Sequence, residues 1–195
     1  LYVERNEQLC SIATQNFKCL GLNNISTKNG DSIEVLHQLD SVSVLFLDPA
    51  RRNSSGGKVV SMADCEPNVL ELCDEMVKKS HFVVLKLSPM LDWHSAVAQL
   101  KYVTEVHIVS VGNECKELLL VLADRNKTAK GSKSNTIQMF CVNDNDVFSY
   151  EEGNCSEGEN IPQQRIFDRN ATLPPYLYEP NASIMKAGCF AQLSE

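Results

Sequence analysis

The sequence predicts an α/β fold, a mainly parallel sheet with helices on both faces and an antiparallel terminal hairpin. Three observations carry this. The apolar runs at 43–47 and 82–87 barely alternate, as expected of strands buried on both faces of a sheet. Segments with apolar residues at helical spacing stand at 6–20 and 67–79. Two further strands, 105–111 and 117–122, are separated only by Gly112-Asn113-Glu114-Cys115-Lys116, so they can pair antiparallel.

Along the chain, residues 1–4 read as a strand end. A helix follows from about Asn6, with Leu9, Ile12, Ala13, Phe17 and Leu20 on one side and Gly21 as its stop. A short strand is expected at 24–27. Asn29-Gly30-Asp31 then turns into a helix carrying Ile33, Val35, Leu36 and Leu39. After the strand at 43–47 come Asp48-Pro49 and a Gly/Ser-rich loop at 53–57. The helix at 67–79 has Pro67 in its first turn and Val69, Leu70, Leu72, Cys73, Met76 and Val77 as its apolar stripe. A short helix is expected at 93–100. A polar stretch at 127–135 reads as a linker between a core at 1–126 and a segment at 136–195. That segment is expected to hold a strand pair turning at Asn143-Asp144-Asn145-Asp146, an acidic loop at 151–164 and one helix at 182–193.

The 195 residues are 43% hydrophobic and 22% charged, ordinary for one globular domain with an extension. No apolar run approaches the roughly 20 residues needed to cross a bilayer, and residue 1 onward shows no secretory signal pattern, so a cytoplasmic location is expected. The eight cysteines form no CxxC pair and no Cys/His cluster with zinc spacing, so they read as reduced thiols, several in the core, with no metal site expected. A net charge of −7 argues against wrapping of nucleic acid by bulk electrostatics, though not against a local patch for it.

In sheets of this kind ligands bind beyond the carboxyl ends of the strands. Glu4 closes the first strand, where a carboxylate can accept hydrogen bonds from ribose hydroxyls; an acid in the first turn of a helix is the plainer use. Gly30-Asp31 stands at a strand-to-helix turn, where the acid suits an exocyclic amine or, more simply, an N-cap. Asp48-Pro49-Ala50-Arg51-Arg52 is the sharpest signal. A carboxylate ending a buried strand needs a partner, the proline fixes the turn, and the arginines suit that acid or a substrate phosphate. Lys86, inside an apolar strand, must reach a cavity or a carboxylate. Ser88, Pro89, Asp92, Asn113, Glu114 and Lys116 sit at the same edge, Glu114, Lys116 and Glu117 being ordinary for a solvated turn. The four histidines lack diagnostic partners.

The order Tyr2-Val3-Glu4-Arg5-Asn6, then Asn29-Gly30-Asp31, then Phe46-Leu47-Asp48-Pro49-Ala50-Arg51-Arg52 resembles the second to fourth motifs of class I S-adenosylmethionine-dependent methyltransferases. More narrowly, VERNEQLCSIATQNFKCLGL, LDPARR, LKLSPMLD, NECKELLLVL and YLYEPNASIMKAG are similar to a bacterial methyltransferase family of the Bacteroides group. Members of that family carry a ferredoxin-like segment and then a THUMP-like domain after the catalytic core. The resemblance implies a Rossmann-like core at 1–126 and a small α+β ferredoxin-like segment at 136–195. It implies S-adenosylmethionine as cofactor, held by Glu4 at the ribose, Gly30 and Asp31 at the adenine, and Asp48 near the reacting methyl. It assigns catalysis to Asp48, Pro49 and Arg51, and contacts with the substrate, RNA by the THUMP-like analogy, to Arg51, Arg52, Ser88 and Asn113.

Two departures follow. The glycine-rich first strand of such enzymes would precede Leu1, so the chain is expected to be a fragment that also lacks the THUMP-like part. Arg51 stands where base-flipping enzymes place an aromatic residue, and Ser88-Pro89 where 5-methyluridine enzymes place a nucleophilic cysteine. A non-catalytic nucleotide- or RNA-binding scaffold is the main alternative. A NAD-type oxidoreductase is a weaker one, because LDPARR has no evident role there.

Overall fold

The computed structural model describes residues 1–51, 62, 65–126, 136–153, 176 and 178–193, with Arg51 by its backbone alone. The chain divides into two compact units, Leu1–Val42 and Ser43–Glu195. No helix among the described residues is long and apolar enough to cross a membrane.

In the first unit, strand β1 (Tyr2–Glu4) pairs parallel with β2 (Thr27–Asn29), placing Glu4 opposite Asn29. Helix α1 (Glu7–Cys19) connects them, its start fixed by Asn6, whose Oδ1 accepts from the backbone N–H groups of Gln8 and Leu9. Gly21 ends it in the left-handed region at φ 71°. Helix α2 (Ser32–Gln38) is capped by Asp31 and buries Val35 and Leu36. The stripe expected on α1 is largely open. Leu9, Ile12 and Leu20 are exposed, and only Cys10 is buried, while Phe17 packs edge-on against Tyr2 at 5.5 Å. A two-stranded sheet offers α1 too little surface to cover a full stripe. The second strand also starts three residues later than the sequence suggested.

The second unit is built on a six-stranded sheet in the order β10-β9-β7-β8-β6-β3. Its strands are β3 (Val42–Leu47), β6 (Ser80–Leu87), β7 (Val103–Val111), β8 (Glu114–Leu122), β9 (Ile137–Asn143) and β10 (Asp146–Glu152). Because β6 and β7 both run antiparallel to β8, and β9 lies parallel to β7, three strands share one direction and β8 and β10 oppose it. The β7–β8 turn is two residues, Gly112 at φ 56° and Asn113 at φ 61°, as the right-handed twist of a tight hairpin favours. The pair β9–β10, expected to open a separate segment, instead extends the main sheet. The expected linker at 127–135 lies outside the described residues, as do the loop at 53–57 and most of that at 151–164.

A short ribbon, β4 (Ala50–Arg51) with β5 (Cys65–Glu66), follows β3. Helix α3 (Val69–Lys79) packs on β6 and buries Val69, Cys73, Met76 and Val77, an i, i+4, i+7, i+8 stripe. Its cap is Asn68, so Pro67 precedes the helix instead of opening it. Helix α4 (Trp93–Gln99) is capped by Asp92. Helix α5 (Ala182–Ala187) packs on β7, β8 and β9; Gly188 at φ 72° ends it, and α6 (Phe190–Leu193) follows. The single helix expected at 182–193 is therefore two, because a left-handed residue cannot continue a helix.

The sheet is buried on one face. Leu85, Leu120, Val106 and Met139 lie in register across four strands, and so do Leu87, Leu118, Ile108 and Cys141, all at 5% exposure or less. The opposite rows, such as Lys86, Leu119, His107 and Phe140, are half-buried. The 43–47 run departs most from expectation. Val44 and Phe46 are 55% and 60% exposed, because β3 is the last strand of the order and, among the described residues, has a neighbouring strand on one side alone.

Candidate functional site

Two groups of candidate residues are brought together, one in each unit. In the first unit, the parallel register of β1 and β2 carries Glu4, Gly30 and Asp31 to the carboxyl-end rim of the pair. Gly30 N–H donates to the Glu4 carbonyl at 3.1 Å, and Asn29 Nδ2 donates to the carbonyls of Glu4 and Arg5 at 2.9 and 3.1 Å. Those bonds satisfy the strand ends and hold the rim.

Each acid there engages one oxygen locally. Glu4 Oε1 accepts from Asn6 N–H at 2.7 Å, and Asp31 Oδ1 accepts from Ile33 N–H at 2.7 Å as the cap of α2. The second oxygen of each has no hydrogen-bond partner among the described residues, so capping and ligand binding are compatible through different atoms. A Cβ at Gly30 would meet nothing within 4 Å, and its φ is not left-handed. Neither packing nor backbone strain requires glycine there; what glycine leaves is open space at the rim.

In the second unit the focus is Asp48. It leaves the end of β3, and Pro49 behind it is buried. Lys86 Nζ donates to Asp48 Oδ2 at 2.8 Å and stands 3.6 Å from Glu117 Oε2. The sequence demanded a partner for a lysine in an apolar strand, and these two carboxylates are it. The cluster is wet, with side-chain exposures of 31% for Lys86, 54% for Asp48 and 38% for Glu117. Asp48 is thus less desolvated than a fully buried strand would have made it. The hydrogen bond to Asp48 is the main reason the Lys86 ammonium is held above the ordinary lysine range; burial opposes it and loses.

Glu117 joins because β8 runs antiparallel to β6: with Lys86 opposite Leu119 and Leu87 opposite Leu118, Glu117 falls just past the end of β6. The sequence reading took it as part of a solvated turn. Its place in a strand two steps beyond Lys86 in register was the available signal, and it required knowing which strands pair.

The remaining candidates line the same end of the sheet, where β6 and β7 finish. Ser88 Oγ accepts from Met90 N–H at 3.3 Å and shapes the turn into α4. Asn113 Oδ1 accepts from Ala182 N–H at 2.8 Å, and Gly112 N–H donates to Asp144 Oδ1 at 2.9 Å. The hairpin tip is therefore tied to the start of α5 and to the β9–β10 turn, leaving Asn113 its amide N–H₂ for a ligand. Asp92, also a candidate, caps α4 through Ser95 and His94. Lys116 is paired with Glu114 at 2.6 Å. Arg52 and the side chain of Arg51 lie outside the described residues, so the described partner of Asp48 is the lysine. Among the described residues no group of three or more His, Cys, Asp or Glu is placed to hold a metal ion.

Chemically, the first rim offers two carboxylate oxygens to hydroxyl or amine donors. The second offers an oriented carboxylate with one oxygen held by an ammonium and the other toward solvent.

Comparisons with known proteins add the following. The chain is similar to a solved structure described as "Crystal structure of putative methyltransferase from Porphyromonas gingivalis W83", at 26% sequence identity and a TM-score of 0.71. The likeness covers 99% of this chain and 46% of that one, so the chain spans less than half the length of that protein. A ferredoxin-like domain family matches residues 176–195, and no curated protein matches.

Proposed function

We propose that this chain is the catalytic part of an S-adenosylmethionine-dependent methyltransferase acting on RNA. The single observation that carries the reading is the likeness, over nearly all of this chain, to a protein described as a methyltransferase. The strand order supports a Rossmann-like core with an antiparallel terminal hairpin, since β8 lies between β6 and β7 and opposes both. RNA as acceptor rests on the resemblance to a family with a THUMP-like domain.

The residues fit the cofactor. Glu4 would accept hydrogen bonds from ribose hydroxyls through Oε2, its Oε1 being held by Asn6 N–H. Asp31 would accept from the adenine amine through Oδ2, with its rotamer fixed by the cap to Ile33, and Gly30 leaves the room a base needs. S-adenosylmethionine, when bound, supplies a methyl group on a sulfonium centre. Asp48 would serve the transfer end, Lys86 pinning one of its oxygens so that the other accepts from a substrate or cofactor N–H. Buried Pro49 keeps that carboxylate at the mouth of the turn. Arg51 and Arg52 would take acidic groups of the substrate, and Ser88 and Asn113 would contact it at the sheet rim. Such groups act by holding the reactants in line and excluding water.

Isothermal titration of the purified protein with S-adenosylmethionine and with NAD tests this. Micromolar binding of the first, lost in Glu4→Ala, Asp31→Ala or Asp48→Ala, is the expected result. Binding of neither nucleotide would return the chain to the scaffold reading, and preference for NAD would overturn the assignment. Radiolabelled methyl transfer into total RNA, followed by nucleoside analysis, then tests the acceptor.

A further inference from the structure

A hollow of about 230 Å³ lies in the second unit, lined by residues other than those of the Asp48 cluster. Three elements build it. Strand β10 contributes Tyr150 and Glu152, two residues apart and so on one face of the strand. The first turn of α4 contributes Trp93 and His94. The Trp93 ring is buried, its Nε1–H donates to the Ala187 carbonyl at 3.3 Å, and His94 stacks on it with ring centroids 3.6 Å apart. The left-handed Gly188 then breaks α5 from α6, which brings Phe190 to the wall at 41% exposure beside buried Cys189.

Among the described residues ten line it: Trp93, Tyr150 and Phe190 carry large aromatic rings, His94 an imidazole and Glu152 a carboxylate, and none of the ten is lysine or arginine. We propose that this hollow binds a small quaternary-ammonium cation. Aromatic faces attract positive charge through the ring quadrupole, and such cages are how quaternary ammonium groups are recognised. Glu152 supplies the opposite charge. An anion would meet that carboxylate and the negative ring faces. A neutral apolar ligand would bury Glu152 without a partner. A primary ammonium would need its three N–H groups matched by Glu152, Gln192 and the wall carbonyls, whereas a quaternary head needs no acceptor at all. A divalent metal ion would want six or more oxygens, and among the described residues this wall holds one carboxylate. The quaternary head alone asks for charge and π-surface without hydrogen bonds. The volume falls below the roughly 300–1,000 Å³ of drug-sized sites, so the ligand is small. Burial, with the neighbouring Cys189 next in importance, raises the Tyr150 phenol above its ordinary range, so it stays neutral beside such a cation.

Trp93 is the single tryptophan, so its fluorescence reports this site directly. The experiment titrates the purified protein with choline and, in parallel, with 3,3-dimethylbutan-1-ol, its uncharged isostere. Choline is expected to saturate the signal and the alcohol to bind at least about tenfold more weakly. Glu152→Gln and Phe190→Ala, both at accessible wall positions, are each expected to weaken choline by about tenfold with an unchanged far-ultraviolet circular dichroism spectrum. Three outcomes would overturn the proposal: no saturable choline response, equal affinity for choline and the alcohol, or unaltered choline binding in both variants. None of them depends on whether the Glu4, Asp31 and Asp48 positions serve methyl transfer.

Discussion

Leu119 and Leu120 are adjacent in β8, share a side chain, and should differ sharply when truncated. Leu120 is fully buried, opposite Leu85 on β6 and Val106 on β7. Leu119 points to the other face, between Lys86 and His107, and is half-buried. Leucine to alanine removes three carbons. At ~0.8 kcal/mol per buried carbon the transfer loss at Leu120 is about 2–2.5 kcal/mol. The cavity left between three strands raises the cost to about 3–4 kcal/mol. At Leu119 roughly half the transfer loss applies and water can fill the gap, so about 1 kcal/mol is expected. Urea unfolding followed by Trp93 fluorescence, which reports on this unit, gives both numbers if the m-value is unchanged. Leu120→Ala should therefore be the more destabilising by about 2–3 kcal/mol. Equal costs, within about 0.5 kcal/mol, would refute one-sided burial of the sheet.

Lys86→Met should cost no more than about 1 kcal/mol at neutral pH, because both of its carboxylate partners are more than a third exposed. Since the Lys86 pKa is raised above 10.5, its contribution is complete below 10.5 and disappears as pH climbs through the higher folded value. The stability gap between wild type and Lys86→Met should shrink only in that alkaline window, as chemical denaturation at stepped pH would show. Asp92→Ala should cost about 1 kcal/mol through loss of the α4 cap. Burial pushes this carboxyl up, but hydrogen bonds from Ser95 and His94 outweigh it and lower its pKa below 3.8. The cap's pH-dependent part is thus present above 3.8 and lost as pH falls through the lower folded value, and acid titration of both proteins checks it. Gly188→Ala should lower stability by about 1–2 kcal/mol in thermal melts, all of it from the left-handed backbone, since a Cβ there meets nothing within 4 Å.

What was legible in the sequence was local chemistry. Asn6, Asp31, Asp92 and Asn181 all stand at helix starts with side chains bonded to the first-turn N–H groups, a signal carried within three residues. The Gly112-to-Lys116 connection announced the β7–β8 hairpin for the same reason, although the turn itself is only Gly112-Asn113 and β8 starts at Glu114. What failed depended on partners distant in the chain. An apolar run such as 43–47 states that its residues favour burial, but whether one face or two are covered depends on its place in the strand order, and β3 came last. The continuation of the sheet through β9 was invisible for the same cause: nothing in residues 137–143 names β7 as neighbour.

The candidate site shows both sides of that division. Asp31 could be read as a cap or as a ligand acceptor, and the sequence could not separate the two because one carboxylate has an oxygen for each; the structure shows the cap, Oδ1 accepting from Ile33 N–H. Lys86 was different. An ammonium in the middle of Val83-Val84-Leu85-Leu87 is too costly to leave without a counter-charge, so the sequence demanded an acid without naming it. The sequence reading matched Asp48 with the arginines instead, and it is the adjacency of β3 and β6 in the strand order that brings Asp48 to Lys86. The 2.8 Å contact turns that demand into a constraint on mechanism. Oδ2 of Asp48 holds Lys86, and Oδ1 has no partner among the described residues. In the function proposed above the acid is an oriented acceptor beside a positive charge, so an Asp48→Asn variant, which keeps the shape but loses the charge, should weaken the Lys86 anchor and ligand affinity together.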